Sequence, residues 1–132
     1  MEQRNVNPWS WQDQYGFSQA VEVTGAERVL HCAGQTSSDE DGNTLHAGDM
    51  RAQTAQALDN VETVLRGAGM SLTNVVRLNS YVTDVDLFFA EGAQVLGERT
   101  GAAGIQPAAT LLGVTRLAFP DLLIELEATA AA

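Results

Sequence analysis

The apolar residues of this chain recur with a period of two, then of 3.6, then of two again, and this change limits the folds that the chain can adopt. Residues 15–23 alternate apolar and polar side chains, and residues 28–33 form a second short apolar segment. Both patterns are typical of strands, and the turn-like segment 24–27 between them predicts that they pair as a hairpin. Residues 1–14 show neither period and predict an irregular N-terminal arm.

A helical period begins near Asp49 and ends near Gly69. The predicted helix has one apolar face, formed by Ala57, Leu58, Val61, Val64, Leu65 and Ala68. The polar residues Gln53, Asp59, Glu62 and Arg66 are expected on its other faces. Asp49 is the expected N-cap. A second helix is expected to begin at a cap formed by Thr83 or Asp84 and to run to about Arg99.

Three further strands are predicted, at 74–82, 109–117 and 122–129. The resulting order ββαβαββ predicts a two-layer α+β domain, with two helices on one face of a mostly antiparallel sheet. Because no composition shift or linker interrupts the sequence, we expect residues 1–132 to form a single domain. The second sheet face would remain uncovered, and successive apolar residues at 111–114 predict a closed homo-oligomer.

The charge balance restricts the partners of the chain. Seventeen acidic residues oppose seven arginines, which gives a net charge of −10. Proteins that bind nucleic acids need basic patches, so we expect no nucleic-acid partner. No apolar run approaches the roughly 20 residues of a membrane helix, and no secretory signal is visible at the N-terminus. With Cys32 as its single cysteine, expected to be a buried and inert thiol, the chain is predicted to be cytoplasmic, without a membrane partner.

The sequence offers no recognisable metal or cofactor motif. His31, His46 and Cys32 lack the spacing of metal ligands. Neither a glycine-rich phosphate loop nor a G-x-S-x-G motif is present. We therefore expect no metal and no cofactor.

Two carboxylates remain as candidates for acid–base chemistry. Glu125 and Glu127 would share one strand face, about 7 Å apart. A solvated or ion-paired face, with Arg77 or Arg116 as the candidate partner, is the favoured interpretation for Glu127, whereas a functional role for Glu125 stays open. The aromatic residues ahead of the first strand could line the opening of a cleft, but are favoured as anchors of the N-terminal arm; they are Trp9, Trp11 and Tyr15.

Several segments together resemble the Rid superfamily, also called the YjgF/UK114 family, from about residue 15 onward. They are Cys32-Ala-Gly-Gln35, Ala57-Leu-Asp-Asn-Val61, Gly67-Ala-Gly-Met70, Val75-Val-Arg-Leu-Asn-Ser-Tyr-Val-Thr-Asp84, Pro107 and Leu123-Ile-Glu-Leu-Glu-Ala128. The resemblance implies a chorismate-mutase-like fold, a homotrimer with a central barrel of sheets, and three small-molecule clefts between subunits.

The best-characterised branch of this family hydrolyses enamines and imines to 2-oxo acids and ammonia, and clamps the substrate carboxylate with an arginine. In this chain the arginine position is occupied by Ala109, whose methyl group cannot form that charge-assisted contact. The family's glutamate in the last strand is retained as Glu125, with the implied role of positioning or activating water. Other cleft positions also depart from the family pattern: Phe17 for a tyrosine, Ala33 for a serine, Gly92 for an asparagine and Leu111 for a cysteine.

The resemblance therefore implies an apolar cleft around Glu125, suited to a neutral or cationic ligand. Its expected lining is Phe17, Ala33, Gly34, Gly92, Ala109, Thr110 and Leu111. Thr110 is either a ligand-binding hydroxyl or an ordinary strand residue.

Three functions remain open from the sequence. The first is hydrolysis or tautomerisation of an imine- or enamine-like metabolite, with Glu125 as acid–base and without the arginine-dependent mechanism. The second is a non-catalytic module that binds or sequesters a small molecule. The third is the ribonuclease or translation inhibitor with which this superfamily is often labelled, and the acidic charge disfavours it.

Overall fold

A computed structural model describes all residues, 1–132, and contains seven strands. The strands are β1 (Glu2–Val6), β2 (Ala20–Thr24), β3 (Val29–His31), β4 (Gln35–Thr36), β5 (Val75–Val82), β6 (Leu111–Gly113) and β7 (Ile124–Ala131). The helical segments are a 3-10 turn (Trp11–Tyr15), α1 (Met50–Gly67), a second 3-10 turn (Leu72–Asn74), α2 (Val85–Leu87), a π turn (Phe88–Gly92) and α3 (Ala93–Ala102). None of these helices has the length and apolar character needed to cross a membrane.

The main sheet has five strands, in the order β3-β7-β5-β6, with β4 also paired to β7. The central pair, β5 and β7, is antiparallel and places Tyr81 opposite Glu125, whereas β6 runs parallel to β5. Helix α1 packs on one face of this sheet, and the hydrophobic core lies between them. The predicted α+β class with helices on one side of a mostly antiparallel sheet is confirmed.

Helix α1 buries the face that its period predicts: Ala57, Leu58, Val61 and Leu65 are fully buried. Asp49 caps it as expected, since its side chain accepts a hydrogen bond from the Ala52 N–H at 3.0 Å. The placement of Gln53 on a polar face was wrong, because this residue is fully buried. Backbone groups outside the helix pair with its amide, and a hydropathy pattern cannot detect such partners.

The predicted hairpin between 15–23 and 28–33 is wrong, and so is the irregular arm at 1–14. Strand β2 pairs with β1, and β3 pairs with β7. After Gly25 the chain does not turn back on β2, because backbone hydrogen bonds at residues 27 and 28 join it to Ala132. β1 escaped detection because its residues are almost all polar and it buries no face.

The second helical region begins at Asp84, whose side chain accepts a hydrogen bond from the Leu87 N–H at 2.9 Å. It continues to Ala102 through the π turn. At the end of that turn lies Gly92, where a Cβ would stand 2.8 Å from Thr54 Oγ1. The absence of a side chain at this position therefore allows the helix to approach α1 closely.

The strand predicted at 109–117 is only three residues long. Residues 107–110 still run beside β5, because the Leu78 and Ser80 N–H groups donate to the carbonyls of Ala108 and Thr110. This segment forms one side of the candidate site.

Candidate functional site

A cavity of about 540 Å³ lies between the first 3-10 turn, the second helical region and the segment leading into β6. Its floor is formed by buried residues of β5 and the helices, namely Leu78, Ser80, Phe88 and Thr100. Its rim carries two aromatic residues that are more than half exposed, Tyr15 and Phe89. The size is typical of a small-molecule site.

Four of the predicted binding residues line this cavity, and they are Phe17, Ala109, Thr110 and Leu111. The side chain of Thr110 is exposed and makes no hydrogen bond within the chain, so it is free to contact a ligand. Gly92 does not line the cavity but lies behind its wall, against α1.

The cavity is lined by no arginine, lysine or histidine. Its two charged lining residues are both acidic, Asp13 and Glu98. Ala109, at the position where the family resemblance expects an arginine, contributes only a methyl group. The cavity therefore offers an anionic ligand no charged partner within this chain.

Glu125 lies elsewhere, in a shallower groove of about 270 Å³ that it shares with Gly34, Tyr81, Val114, Arg116, Leu117 and Glu127. Its side chain packs against the backbone of Gly34, where a Cβ would stand only 2.1 Å from Glu125 Oε1. Within the chain its carboxylate makes no side-chain hydrogen bond or salt bridge. Ala33 precedes Gly34, is exposed, and lines neither the groove nor the cavity.

The cavity and the groove open on opposite faces of the sheet. Ser80 lines the cavity and Tyr81 lines the groove, and successive residues of a strand point to opposite faces. Leu111 is the register partner of Ser80, and Glu125 is the partner of Tyr81. Within one copy of the chain, Glu125 therefore does not reach Ala109. The predicted residues instead form two separate groups, one in the cavity with Ala109 and one in the groove with Glu125.

Glu127 is held by neutral groups. Tyr81 donates to its Oε1 from 2.8 Å, and the Asn79 amide donates to the same oxygen from 3.1 Å. The hydrogen bonds from Asn79 and Tyr81 lower the pKa of Glu127, and the nearby charge of Arg77 adds to this effect. Of the two alternatives for Glu127, a solvated or an ion-paired face, the ion pair with Arg77 or Arg116 does not form. Glu127 instead joins β7 to β5 through its two hydrogen bonds.

The Arg116 side chain points along its own turn, where it donates to the carbonyls of Leu117 and Ala118 at 3.2 and 3.4 Å. Cys32 is buried, as predicted, and its burial raises the pKa of the thiol.

The sequence did not predict part of the cavity lining, above all Asp13, Ser80, Phe89 and Glu98. The strand pattern could have indicated Ser80, because this polar residue lies on the same side of β5 as the buried Leu78. Trp11 makes edge-to-face contacts with Tyr15 and Phe17, at centroid distances of 6.4 and 5.7 Å. The aromatic residues of the N-terminal arm therefore pack on one another, and Tyr15 also lines the cavity. Trp9 is exposed and lines neither the cavity nor the groove.

The comparisons with known proteins agree with this fold. The family model described as endoribonuclease L-PSP matches residues 12–132. A Rid-family protein of Yersinia pestis has a crystal structure with a TM-score of 0.89 to this chain, at 39% identity and over 100% of both chains. A RutC family protein of Pyrococcus horikoshii is 36% identical over 114 residues, which cover 86% of this chain and 85% of the relative.

A human 2-iminobutanoate/2-iminopropanoate deaminase is 33% identical over 72 residues, 54% of this chain and 50% of the relative. Together with the fold and the length of the family match, these similarities show that the chain belongs to the endoribonuclease L-PSP family within the Rid (YjgF) superfamily.

Proposed function

We propose that this protein binds a small, non-anionic metabolite at a site completed between copies of the chain, and that Glu125 acts on it as an acid–base. The observation that carries the proposal is the cavity around Ala109, which has the volume of a metabolite site but no cationic side chain. A metabolite recognised through its own carboxylate would lack a charged partner in the cavity, and Arg116, the cation of the groove, donates instead to the carbonyls of Leu117 and Ala118. The reaction is hydrolysis or tautomerisation of an imine- or enamine-like bond.

A second copy is needed because the cavity and Glu125 lie on opposite faces of the sheet. A closed assembly that places the groove of one copy over the cavity of the next would join them. Leu112 supports such an interface: it is 49% exposed and is the register partner of Tyr81, on the groove side of the sheet. The assembly proposed is the homotrimer that the family resemblance implies.

The chemistry rests on the state of Glu125. Unlike Glu127, it has no hydrogen-bonding or ionic side-chain partner within the chain, so its carboxylate is available to a ligand or a water molecule. The human relative is named for deamination of 2-imino acids, which carry a carboxylate. The lining around Ala109 argues for the same type of bond in a substrate without that carboxylate.

The test is a turnover assay with freshly generated 2-iminobutanoate alongside an uncharged imine. We expect the acid to be hydrolysed no faster than without protein, and the uncharged imine to be hydrolysed faster. Glu125→Gln should abolish that turnover, whereas Glu40→Gln, which removes an exposed charge in the 39–43 loop, should not. Rapid hydrolysis of 2-iminobutanoate would overturn the proposal. If the parent protein and Glu125→Gln both bind the uncharged imine and neither hydrolyses it, the non-catalytic binding module is favoured.

The ribonuclease function named by the family description is disfavoured by the net charge of −10. Polyanion binding depends on clustered cations, and Arg4 and Arg99 are already engaged with acidic partners. Retention of the protein on RNA at physiological salt would revive that function.

A further inference from the structure

We infer that the cavity ligand is a small organic cation with an alkylated, positively charged nitrogen, as in a protonated imine, that also carries a hydroxyl or carbonyl group. This inference rests on the proposed function, which requires only a ligand that is not an anion, and narrows it to one chemical class. Three independent features of the cavity support it: its aromatic rim, its unneutralised acids and an unpaired hydroxyl on its floor.

The rim presents aromatic rings to the cavity. Tyr15 is 58% exposed and Phe89 is 53% exposed, and both line the cavity together with Phe17. Trp11 packs edge-on against Tyr15 and Phe17, at interplanar angles of 69° and 74°, and so restricts both rings. A cation is attracted to the electron-rich face of such rings, and desolvation strengthens the attraction.

The two acids of the lining are not neutralised by any basic residue. Asp13 accepts hydrogen bonds only at Oδ1, from the amides of Gln12 and Gln106. Glu98 accepts one from the amide of Gln94. Neither acid forms a salt bridge, although Arg99 directly follows Glu98 in the sequence. Arg99 points instead to Asp59 and Glu62 of α1, and leaves the cavity with an unbalanced negative charge.

The floor holds a hydroxyl without a partner. Ser80 lines the cavity, is only 5% exposed, and its Oγ makes no hydrogen bond within the chain. Ser80 Oγ remains accessible from the cavity, since the only fully buried side-chain oxygen or nitrogen without a partner is Ser18 Oγ, so it can exchange a hydrogen bond with a polar atom of the ligand. Since Tyr15 and Phe89 are at the rim and Ser80 at the floor, the ligand should place its cationic end outward and its hydroxyl or carbonyl inward.

Choline is a suitable probe, because it has a quaternary ammonium, a hydroxyl and a volume well below that of the cavity. Its neutral isostere, 3,3-dimethylbutan-1-ol, has the same shape and hydroxyl but no charge. Betaine has the same ammonium but a carboxylate in place of the hydroxyl. Isothermal titration of the three against the full chain separates charge from shape.

We expect choline to bind about tenfold more tightly than its neutral isostere, and betaine to bind more weakly than choline. The charge-removing substitutions Asp13→Asn and Glu98→Gln should weaken choline several-fold and leave the isostere unchanged. Phe89→Leu, which keeps apolar volume but removes the aromatic ring, should likewise weaken choline binding and leave binding of the neutral isostere unchanged. Glu40→Gln is the matched control for loss of one exposed charge.

Ser80→Ala should weaken choline and the neutral alcohol equally, since both carry the hydroxyl, and tetramethylammonium should be insensitive to it. Equal binding of choline and its isostere would overturn this inference and leave the proposed function intact. The inference is also overturned if none of the probes binds, or if Asp13→Asn and Glu98→Gln leave choline binding unchanged. The proposed function fails separately, in the turnover assay with Glu125→Gln.

Discussion

At the scale of single residues, the position of Glu125 depends on the lack of a side chain at residue 34. An alanine Cβ at this site would stand 2.1 Å from Glu125 Oε1 and 2.9 Å from its Cγ. The resemblance to the Rid superfamily identified both positions, but only the structure shows that Gly34 leaves the space that the Glu125 side chain occupies. A local glycine thus sets where a carboxylate can lie.

Gly34→Ala is therefore predicted to displace the carboxylate of Glu125 while the fold is retained. Because the clashing atoms belong to a flexible side chain, the carboxylate can rotate away, and turnover should fall as far as it does in Glu125→Gln. Gly67→Ala is the matched control: its Cβ would meet no atom within 4 Å, and its thermal midpoint should equal or exceed that of the parent. A crystal structure of Gly34→Ala with Glu125 unmoved would contradict the argument.

Tyr81→Phe tests the hydrogen bonds on Glu127. Since Tyr81 and Asn79 both lower the pKa of Glu127, removing one donor should raise that pKa while leaving it below its usual value. A lowered pKa contributes stability above the unfolded-state pKa, and this contribution is lost as the pH falls through the folded-state pKa. The variant should thus lose about 0.5–1 kcal/mol at neutral pH and less under acid conditions.

The measurements are a carbon-13 carboxyl titration and urea unfolding at two pH values. Tyr15→Phe provides the comparison, because the Tyr15 hydroxyl makes no hydrogen bond in the chain. An unchanged pKa of Glu127 in Tyr81→Phe would show that the Tyr81 hydrogen bond does not contribute to its lowering.

At the scale of elements, the sequence predicted the helix whose buried face follows a hydrophobic period. It failed for the strands whose pairing is set by polar contacts. The apolar stripe of α1 and its Asp49 cap were predictable, because burial and capping leave local patterns. Strand β1 was not, since its partner β2 is distant in sequence and neither strand has a fully buried face. The pairing of β3 with β7 depends on backbone bonds to Ala132, which no pattern near residue 28 encodes.

Gln53 is the clearest case of a polar contact that organises elements. Its amide nitrogen donates to the carbonyls of His46 and Asp121 at 3.1 and 2.8 Å, and its oxygen accepts from the Leu123 N–H at 2.9 Å. It thereby ties α1 to the loop before it and to the segment that enters β7.

Gln53→Leu should lower the free energy of unfolding by about 3 kcal/mol or more, because it leaves three backbone groups without a partner. Gln56→Leu, one turn along α1, loses only an intrahelical bond to Asn60 and should cost less than about 1 kcal/mol. Urea denaturation measures both. Equal losses in the two variants would show that the Gln53 contacts do not stabilise the fold.

At the scale of the whole molecule, the site predicted from the sequence is divided within one copy, and the proposed assembly would reunite it. Sequence reasoning placed Glu125, Gly34 and Ala109 in one cleft because the resemblance described an interface, whereas one copy places them on opposite sheet faces. The apolar character of the lining at Phe17, Ala109 and Leu111 was predictable from residue types alone. Its aromatic rim and its acids were not, since they come from segments brought together only by the fold.

We expect native mass spectrometry to give three times the chain mass of 14.1 kDa. Leu112→Glu should shift the population to single copies, because it would bury a charge in the proposed interface, and an unpaired buried charge is strongly unfavourable. Ala47→Glu adds the same charge at an exposed turn before α1 and should keep the trimer. The dissociated Leu112→Glu protein should stay folded by circular dichroism but lose turnover, since its Glu125 would no longer reach a neighbouring cavity. A parent protein that is a single copy, or an active single-copy variant, would refute the shared site.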